Sequence, residues 1–484
     1  MADTTALRNK ILQLAIEGKL VEQRAEEGDA RTLLDEIKAE KAQLIANKKI
    51  KKDKPLAPIE DSEIPFDIPN SWVWVRLGEV CDKMISTKPT GEYFKYIDID
   101  AIDNKICKIR EPKKTLTKNA PSRATRHTQK GDVLFSMVRP YLKNIALVEE
   151  DGCIASTGFY VCRPFDGLSS LFLFELMTSE YVVNGLNKFM KGDNSPSINN
   201  VDIENLPIPL SPLGEQKRIV EKLDEVMKAL DEIEQGRKNI EALKATLRNK
   251  ALQLAIEGKL VEQRAEEGDA RALLDEIKAE KAQLIAEKKI KKDKPLAPID
   301  DSEIPFEIPE NWRWVRLGEI FQIINGDRGK NYPAKSTLHK EGFPFISAKN
   351  LQNNIVVKND DLLCLDEIQY NKLGNGKLVK GDMVVCIRGS LGKHGIFPFE
   401  KGAIASSLVI VREYVSTIGL KDYLGYYLDA PFFFEEIHRY DNGTAQPNLA
   451  AENFKNFLIP LPPLSEQLRI VSKLDEVMAE IDNL

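Results

Sequence analysis

The sequence predicts an α+β protein: two strand-rich α/β domains, separated and bridged by two long antiparallel coiled-coil helical regions, with an internal pseudo-two-fold. Three observations carry this prediction. A stretch from Pro212 to about Leu260 has apolar residues at spacings of three and four, the pattern of a helix with one narrow seam. Pieces of that stretch recur near both ends of the sequence. Between the repeats lie two blocks of short apolar runs broken by turn residues.

The seam of the central stretch runs through Ile219, Leu223, Val226, Leu230, Ile233, Ile240, Leu247 and Leu254, interrupted where Arg237 and Lys244 take seam positions. At ~1.5 Å per residue the helix would be roughly 60–70 Å long. A helix with a single apolar seam needs a partner, and the sequence supplies one in two pieces. Pro462 to Leu484 repeats the first half, carrying the seam on through Ile470, Leu474, Val477 and Ile481. Leu7 to Arg31 repeats the second half, Leu247 to Arg271, and the near-identity continues to about Gly78 and Gly318. This is a tandem duplication read cyclically, with one helix whole and the other split. It divides the sequence into a helical repeat (1–61), a strand-rich domain (62–210), a central helical repeat (211–301), a second strand-rich domain (302–461) and a final repeat helix (462–484).

In order, Leu7 to Leu20 reads as helix, with Gly18 as its bend or stop. Asp29 is an N-cap for a second helix whose apolar face is Leu33, Leu34, Ile37, Leu44 and Ile45. Lys48, Lys49, Lys51, Lys52 and Lys54 suit a helix C-terminus, and Pro55 ends it; a solvated helix end and a phosphate contact both fit this run. The runs WVWVRLGEV, YFKYIDIDAI, GDVLFSMV, NIALV and CIASTGFYVC read as strands, with helix near Leu171 to Asn187. The second block repeats the plan, with helix near Leu420 to His438. The two blocks share landmarks more than identity. Lys130-Gly131-Asp132 and Lys380-Gly381-Asp382 each precede a strand, as tight turns with glycine at positive φ. Arg139 and Arg388 follow those strands, and both blocks leave through Ile-Pro-Leu. Trp72, Trp74, Trp312 and Trp314 read as core.

Composition narrows the function classes. The chain is 42% hydrophobic and 30% charged, as in a soluble globular protein, and no apolar run reaches the ~20 residues of a membrane span. Six cysteines without metal spacing read as reduced thiols of a cytoplasmic protein, and four scattered histidines make no metal site. The net charge of −6 means that any nucleic-acid signal must be local.

Two strand-rich domains alternating with helical repeats that end LxEQxRIVxKLDEVM and begin LRNKxLQLAIEGKLV resemble the specificity subunit of type I restriction–modification enzymes. The resemblance covers essentially the whole chain. It implies that the strand-rich blocks are target-recognition domains, each reading one half of a split double-stranded DNA sequence. It implies that the helices set the gap between half-sites and dock two methyltransferase subunits, through which restriction subunits join. The cofactors it implies belong to those partners: S-adenosylmethionine on the methyltransferase, ATP and Mg2+ on a restriction subunit, and none in this chain.

The residues offer candidates for that role. The first block carries a basic run that includes Lys105, Lys108, Lys113, Lys114, Lys118, Arg123, Arg126, Arg139 and Lys143, the electrostatic footprint that phosphates require. An ordinary charged surface is the other reading. The second block is thinner, with Arg328, Lys330, Lys349, Arg388 and Lys393. Base edges are read by paired donors and acceptors, which Asn194 and Ser195, Asn350, and Asn442, Gln446 and Asn448 can supply, although Asn, Ser and Gly also simply make turns. Asp98, Asp100 and Asp103 would have to accept from cytosine or do something else. No phosphate-binding loop, no amino-methyltransferase Asn/Asp-Pro-Pro-Tyr/Phe tetrapeptide and no nuclease carboxylate cluster is found, so the chain is predicted to catalyse nothing itself. A protein-only scaffold and an unrecognised nuclease or methyltransferase are the competing classes. Neither accounts for a cyclic repeat holding two divergent blocks.

Overall fold

The computed structural model describes residues 4–50, 55–352, 354–415, 420–440 and 448–484. It contains two compact units, Met1–Arg237 and Lys238–Leu484. Each unit joins helical repeat to strand-rich block. In the first unit Leu12, Ile16, Leu34 and Ile37 of the repeat share one core with Trp72, Phe135, Leu173 and Ile208. In the second, Leu252, Ile256, Leu273 and Ile277 share one with Trp312, Val385, Leu424 and Ile459. The physical reason is that these helices carry a second apolar stripe besides the seam, and burying it against the strands removes it from water.

The first helix spans Thr4–Ile16 and stops where Gly18 turns back at φ +69; a Cβ there would lie 2.5 Å from Pro69 Cγ, so only glycine fits. The second, Ala30–Ala46, begins at Asp29, whose side chain accepts from Arg31 N at 2.8 Å. Its duplicate, Ala270–Ala286, is capped by Asp269 in the same way. The central helix is one element of 44 residues, Leu213–Ile256, and its two halves belong to different units.

Within the first unit the opening helix and the segment after it run antiparallel to the central helix. Arg8 Nη2 meets Asp231 Oδ1 at 2.5 Å, while Arg218 Nη2 donates to Glu22 O at 3.0 Å and pairs with Glu27. Within the second, the last helix (Leu464–Asn483) mirrors this. Lys244 Nζ donates to Asp482 O at 3.2 Å, Arg248 pairs with Asp482, and Arg469 Nη2 donates to Glu262 O at 3.0 Å.

The predicted seam is covered only in part. Ile219, Leu223, Leu230, Ile470, Leu474 and Ile481 are buried, and Val226, Leu254 and Val477 are half-buried. Ile233, Ile240 and Leu247, which flank the expected interruptions at Arg237 and Lys244, are about half exposed (56%, 46% and 46%). Within the units the first helix meets the central one near Asp231, and the last helix meets it at Lys244 and Arg248.

Each strand-rich body is built from two small sheets. In the first unit one has the order Lys113–Leu116, Tyr93–Ile97, Cys153–Ser156, Ala124–His127. The other has the order Cys81–Asp82, Phe159–Pro164, Val133–Ser136, Ile145–Leu147. The second unit repeats both, and its hairpin Leu351–Gln352/Ile355–Val356 joins the second sheet. Each body is closed by an antiparallel pair between its first and last strands, Val73–Arg76 with Pro207–Leu210 and Arg313–Arg316 with Leu458–Leu461. The run WVWVRLGEV is not all strand. After Arg76 it becomes a helical turn, Leu77–Val80, because Glu79 reaches back to accept from Arg76 N at 2.8 Å.

The Lys-Gly-Asp turns sit at φ +93 (Gly131) and +88 (Gly381). They also fix a buried ion pair that sequence reasoning missed. Asp132 accepts from Gln129 N and holds Arg163 at 2.7 Å, and Asp382 accepts from Val379 N and holds Arg412 at 2.7 Å.

Candidate nucleic-acid interface

Three segments far apart in sequence converge at one corner of the first unit. They are the turn joining Ile102–Asp103 to Lys108–Ile109, the loop after Val133–Ser136, and the loop around Asn194. Asn104 Nδ2 donates to Leu142 O at 2.9 Å, and the Cys107 thiol lies 3.9 Å from Lys143 O. Arg139 is held twice: its N–H donates to Pro196 O and its Nη2 to Asn194 O, both at 2.8 Å. The corner thereby gathers Lys105, Lys108, Arg139, Lys143, Asn194 and Ser195.

The second unit builds the same corner with different residues. Lys393 Nζ donates to Ala348 O at 2.9 Å, and Arg388 Nε donates to Asn448 Oδ1 at 3.0 Å. Backbone bonds fix the correspondence. Ser136 N donates to Asn144 O, and Cys386 N donates to Lys393 O. Counting from these, Arg139 corresponds to Gly389 and Lys143 to Gly392, while Arg388 stands beside Val138. Arg139 and Arg388 are thus one position apart rather than equivalent.

The backbone at these positions is left-handed in both units. Gly389 and Gly392 both have φ +80, without penalty, whereas Arg139 (+49) and Lys143 (+52) pay about 1–2 kcal/mol each for their side chains. The hairpin turns agree, with Cys107 at +51 and Asn354 at +61.

The remaining basic residues of the first unit do not form one face with this corner. Lys113 and Lys114 lie on the edge strand Lys113–Leu116, with Lys118 just beyond. Lys113 Nζ pairs with Asp98 at 2.6 Å, and Lys114 Nζ sits 4.7 Å from the Tyr93 ring centre. Arg123 and Arg126 belong to the opposite edge of that sheet, about 14 Å away at ~4.8 Å per strand. Asp98 and Asp103 have structural partners. The first caps Ala101 N at 3.0 Å, and the second holds Arg110 and accepts from Lys105 N.

In the second unit Asn350 is fully buried. Its Oδ1 accepts from Ser347 N and Oγ, both at 2.9 Å, and its Nδ2 donates to Asn359 at 3.1 Å. It is a turn-former and not an exposed reader, because the short helical turn Ala348–Asn350 needs that cap. Lys349 is exposed and 3.8 Å from Asp361, and Lys330 is exposed. Burial, with a smaller contribution from the Arg388 guanidinium, pushes Arg328 below the ordinary arginine range. Asn442 and Gln446, like Lys51, Lys52 and Lys54, lie outside the described residues.

Sequence reasoning also passed over Tyr141, Leu142 and Ile106, large apolar side chains exposed at this corner. The one signal for Tyr141 and Leu142 was an apolar pair after a proline, in a loop with no helical or strand period.

The geometry defines a class: two like domains of one fold, each held on a near-identical helical frame and each presenting a loop corner of its own composition. The chain belongs to the type I restriction modification DNA specificity domain family, whose profile matches residues 69–242 and again 309–484. It is 30% identical to the type I restriction enzyme EcoAI specificity subunit of Escherichia coli, over 99% of this chain and 89% of that one. It is similar to the crystal structure of the HsdS subunit from Thermoanaerobacter tengcongensis (30% identity, TM-score 0.55, 87% of this chain and 93% of that one). A chain from a structure of complex assembly and conformational transition in the type I R-M system gives 31% identity and TM-score 0.63, with the same coverage.

Proposed function

We propose that this chain is the DNA-reading subunit of a type I restriction–modification complex. Each unit binds one half of a two-part target through its loop corner. Because the corners differ, with Arg139, Lys143 and Asn194 in one and Arg388, Lys393 and Asn448 in the other, the two half-sites differ in sequence. The cations position phosphates, and the amides and guanidinium groups reach base edges. The duplicated helices fix the spacing and dock two methyltransferase subunits, with restriction subunits joining through them. The chain itself catalyses nothing; a methyltransferase partner supplies S-adenosylmethionine chemistry on an extracted base, and a restriction subunit uses ATP and Mg2+. The complex works in the cytoplasm. The observation that carries this reading is the same three-segment corner built twice with different side chains on a nearly invariant frame.

The test is to co-express the chain with its candidate methyltransferase and map methylated adenines on genomic DNA by long-read sequencing. A single two-part motif with a fixed gap is expected. An unsplit motif would mean that only one unit reads, and no motif from an intact complex would favour a protein scaffold.

A further inference from the structure

We infer that the Arg139–Lys143 loop of the first unit is a stacking wedge, whose Tyr141 and Leu142 enter the DNA duplex between base pairs of one half-site. The second unit reads its half without such a wedge. The inference rests on the DNA-reading function proposed above.

Four observations on the structure support it. Tyr141 is 47% exposed, Leu142 40% and Ile106 63%, and the Asn104–Leu142 hydrogen bond ties their two segments together. Large apolar side chains grouped on a surface in this way mark contact sites. Second, Lys105, Lys108, Arg139 and Lys143 outnumber the carboxylates Asp103 and Asp193 there, and Asp103 is paired with Arg110, a net positive charge that suits a polyanion and not an apolar protein face. Third, the tip is rigid. Pro140 is buried, and Arg139 and Lys143 are both held left-handed. Among the described residues six other than glycine have positive φ. Lys48 and Lys288 follow the ends of the duplicated helices, Cys107, Arg139 and Lys143 stand at the corner of the first unit, and Asn354 lies in the hairpin turn of the second. Strain kept at such a place and not relieved by glycine is the mark of a functional constraint. Fourth, the corresponding loop of the second unit is one residue shorter and has glycine at both left-handed positions, and its Leu391 packs against the core. It projects no apolar tip.

An aromatic side chain inserted at a base step unstacks it and makes recognition depend on how easily that step deforms. The half-site read by the first unit would then be specified partly by stacking, and the distortion would be confined to that half.

The test uses the full chain with its methyltransferase partner. Genomic DNA methylated by the wild-type complex gives the motif, and duplexes of that motif with 2-aminopurine at each step report unstacking. On binding, the wild type is expected to raise 2-aminopurine fluorescence in one half only. The exposed double substitution Tyr141→Ala with Leu142→Ser should abolish that rise and lower methylation at least tenfold, with degeneracy appearing in that half alone. Lys143→Gly should raise Tm by removing strain while weakening methylation, a pairing of signs that a structural role would not give. An unchanged motif and extent of methylation in the double variant would overturn the inference while leaving the DNA-reading function intact. So would a loss spread evenly over both halves, or a lower Tm for Lys143→Gly. A wild-type complex that yields no two-part motif would overturn the function and the wedge together.

Discussion

Trp72 donates its indole N–H to Glu215 at 2.8 Å, tying the entry to the first strand of one unit to the start of the central helix, and Trp312 makes the same bond to Glu466 at 2.9 Å. Gln23 donates to the other oxygen of Glu215, which is 1% exposed. Burial raises the pKa of Glu215, opposed by these two hydrogen bonds. Glu215→Ala leaves a buried indole N–H unpaired and should destabilise the chain by about 2–3 kcal/mol in urea unfolding. Glu215→Gln keeps an acceptor and should stay within ~1 kcal/mol of wild type. Equal losses for both variants would show that the charge, and not the acceptor, is what the site requires.

Those bonds illustrate what the sequence makes legible. The repeat revealed the frame because helical seams, caps and the Asp29 and Gly18 signals are local, and duplication displayed each of them twice. The strand-rich blocks were recognisable as such, but not how their loops meet. Arg139 and Asn194 are 55 residues apart, and nothing in either segment announces the 2.8 Å bond between them. The basic run misled for the same reason: adjacency from Lys105 to Lys143 hid that a sheet separates Lys113 from Arg126. Asn350 looked like an exposed amide because a buried turn-forming Asn and a free one have the same letter. Periodicity placed Ile240 on the seam but does not encode how deeply a seam residue is buried; it is 46% exposed.

The buried pair Asp132–Arg163 gives a second prediction. Asp132 is 1% exposed, and its carboxylate serves both the turn and the guanidinium. Asp132→Ala removes one partner and leaves Arg163 half-buried without it, a loss of about 3–5 kcal/mol. Asp382→Ala should do the same through Arg412. Chemical denaturation of the full chain measures both, and a loss under ~1 kcal/mol would mean that solvent reaches the arginine.

Stability should also depend on pH through Glu175. Burial, with a contribution from the Asp224 carboxylate, pushes Glu175 up to about 7, and burial raises Glu413 to about 7 against the hydrogen bond from Lys421 N. At the corresponding place in the second unit Tyr426 donates its hydroxyl to Asp475. Protonation of Glu175 removes its repulsion with Asp224. Its folded pKa lies above the ordinary 4.5, so the stability it contributes is fully present below about pH 4.5 and lost as pH rises through about 7. Glu175→Gln should therefore match wild type at pH 4 and exceed it by on the order of 1–2 kcal/mol at pH 8. Thermal unfolding at the two pH values decides it, and a variant no more stable at pH 8 would remove Glu175 from the account.

The half-exposed turns between Ile233 and Leu247 are where the spacing proposal can be tested without touching either corner. Inserting one heptad there keeps the apolar register and lengthens the helix by ~10 Å. At ~3.4 Å per base pair this corresponds to about three base pairs of duplex. The modified complex should methylate a motif with the same two half-sites and a gap longer by about that amount. Inserting four residues instead turns the following helix by roughly 40° beyond one full turn and breaks the heptad, so it should impair methylation rather than reset the gap. An unchanged gap in the heptad variant, with both half-sites still read, would mean that the gap is set by the partner subunits. The duplicated helices would then serve to dock those partners and not to measure the DNA.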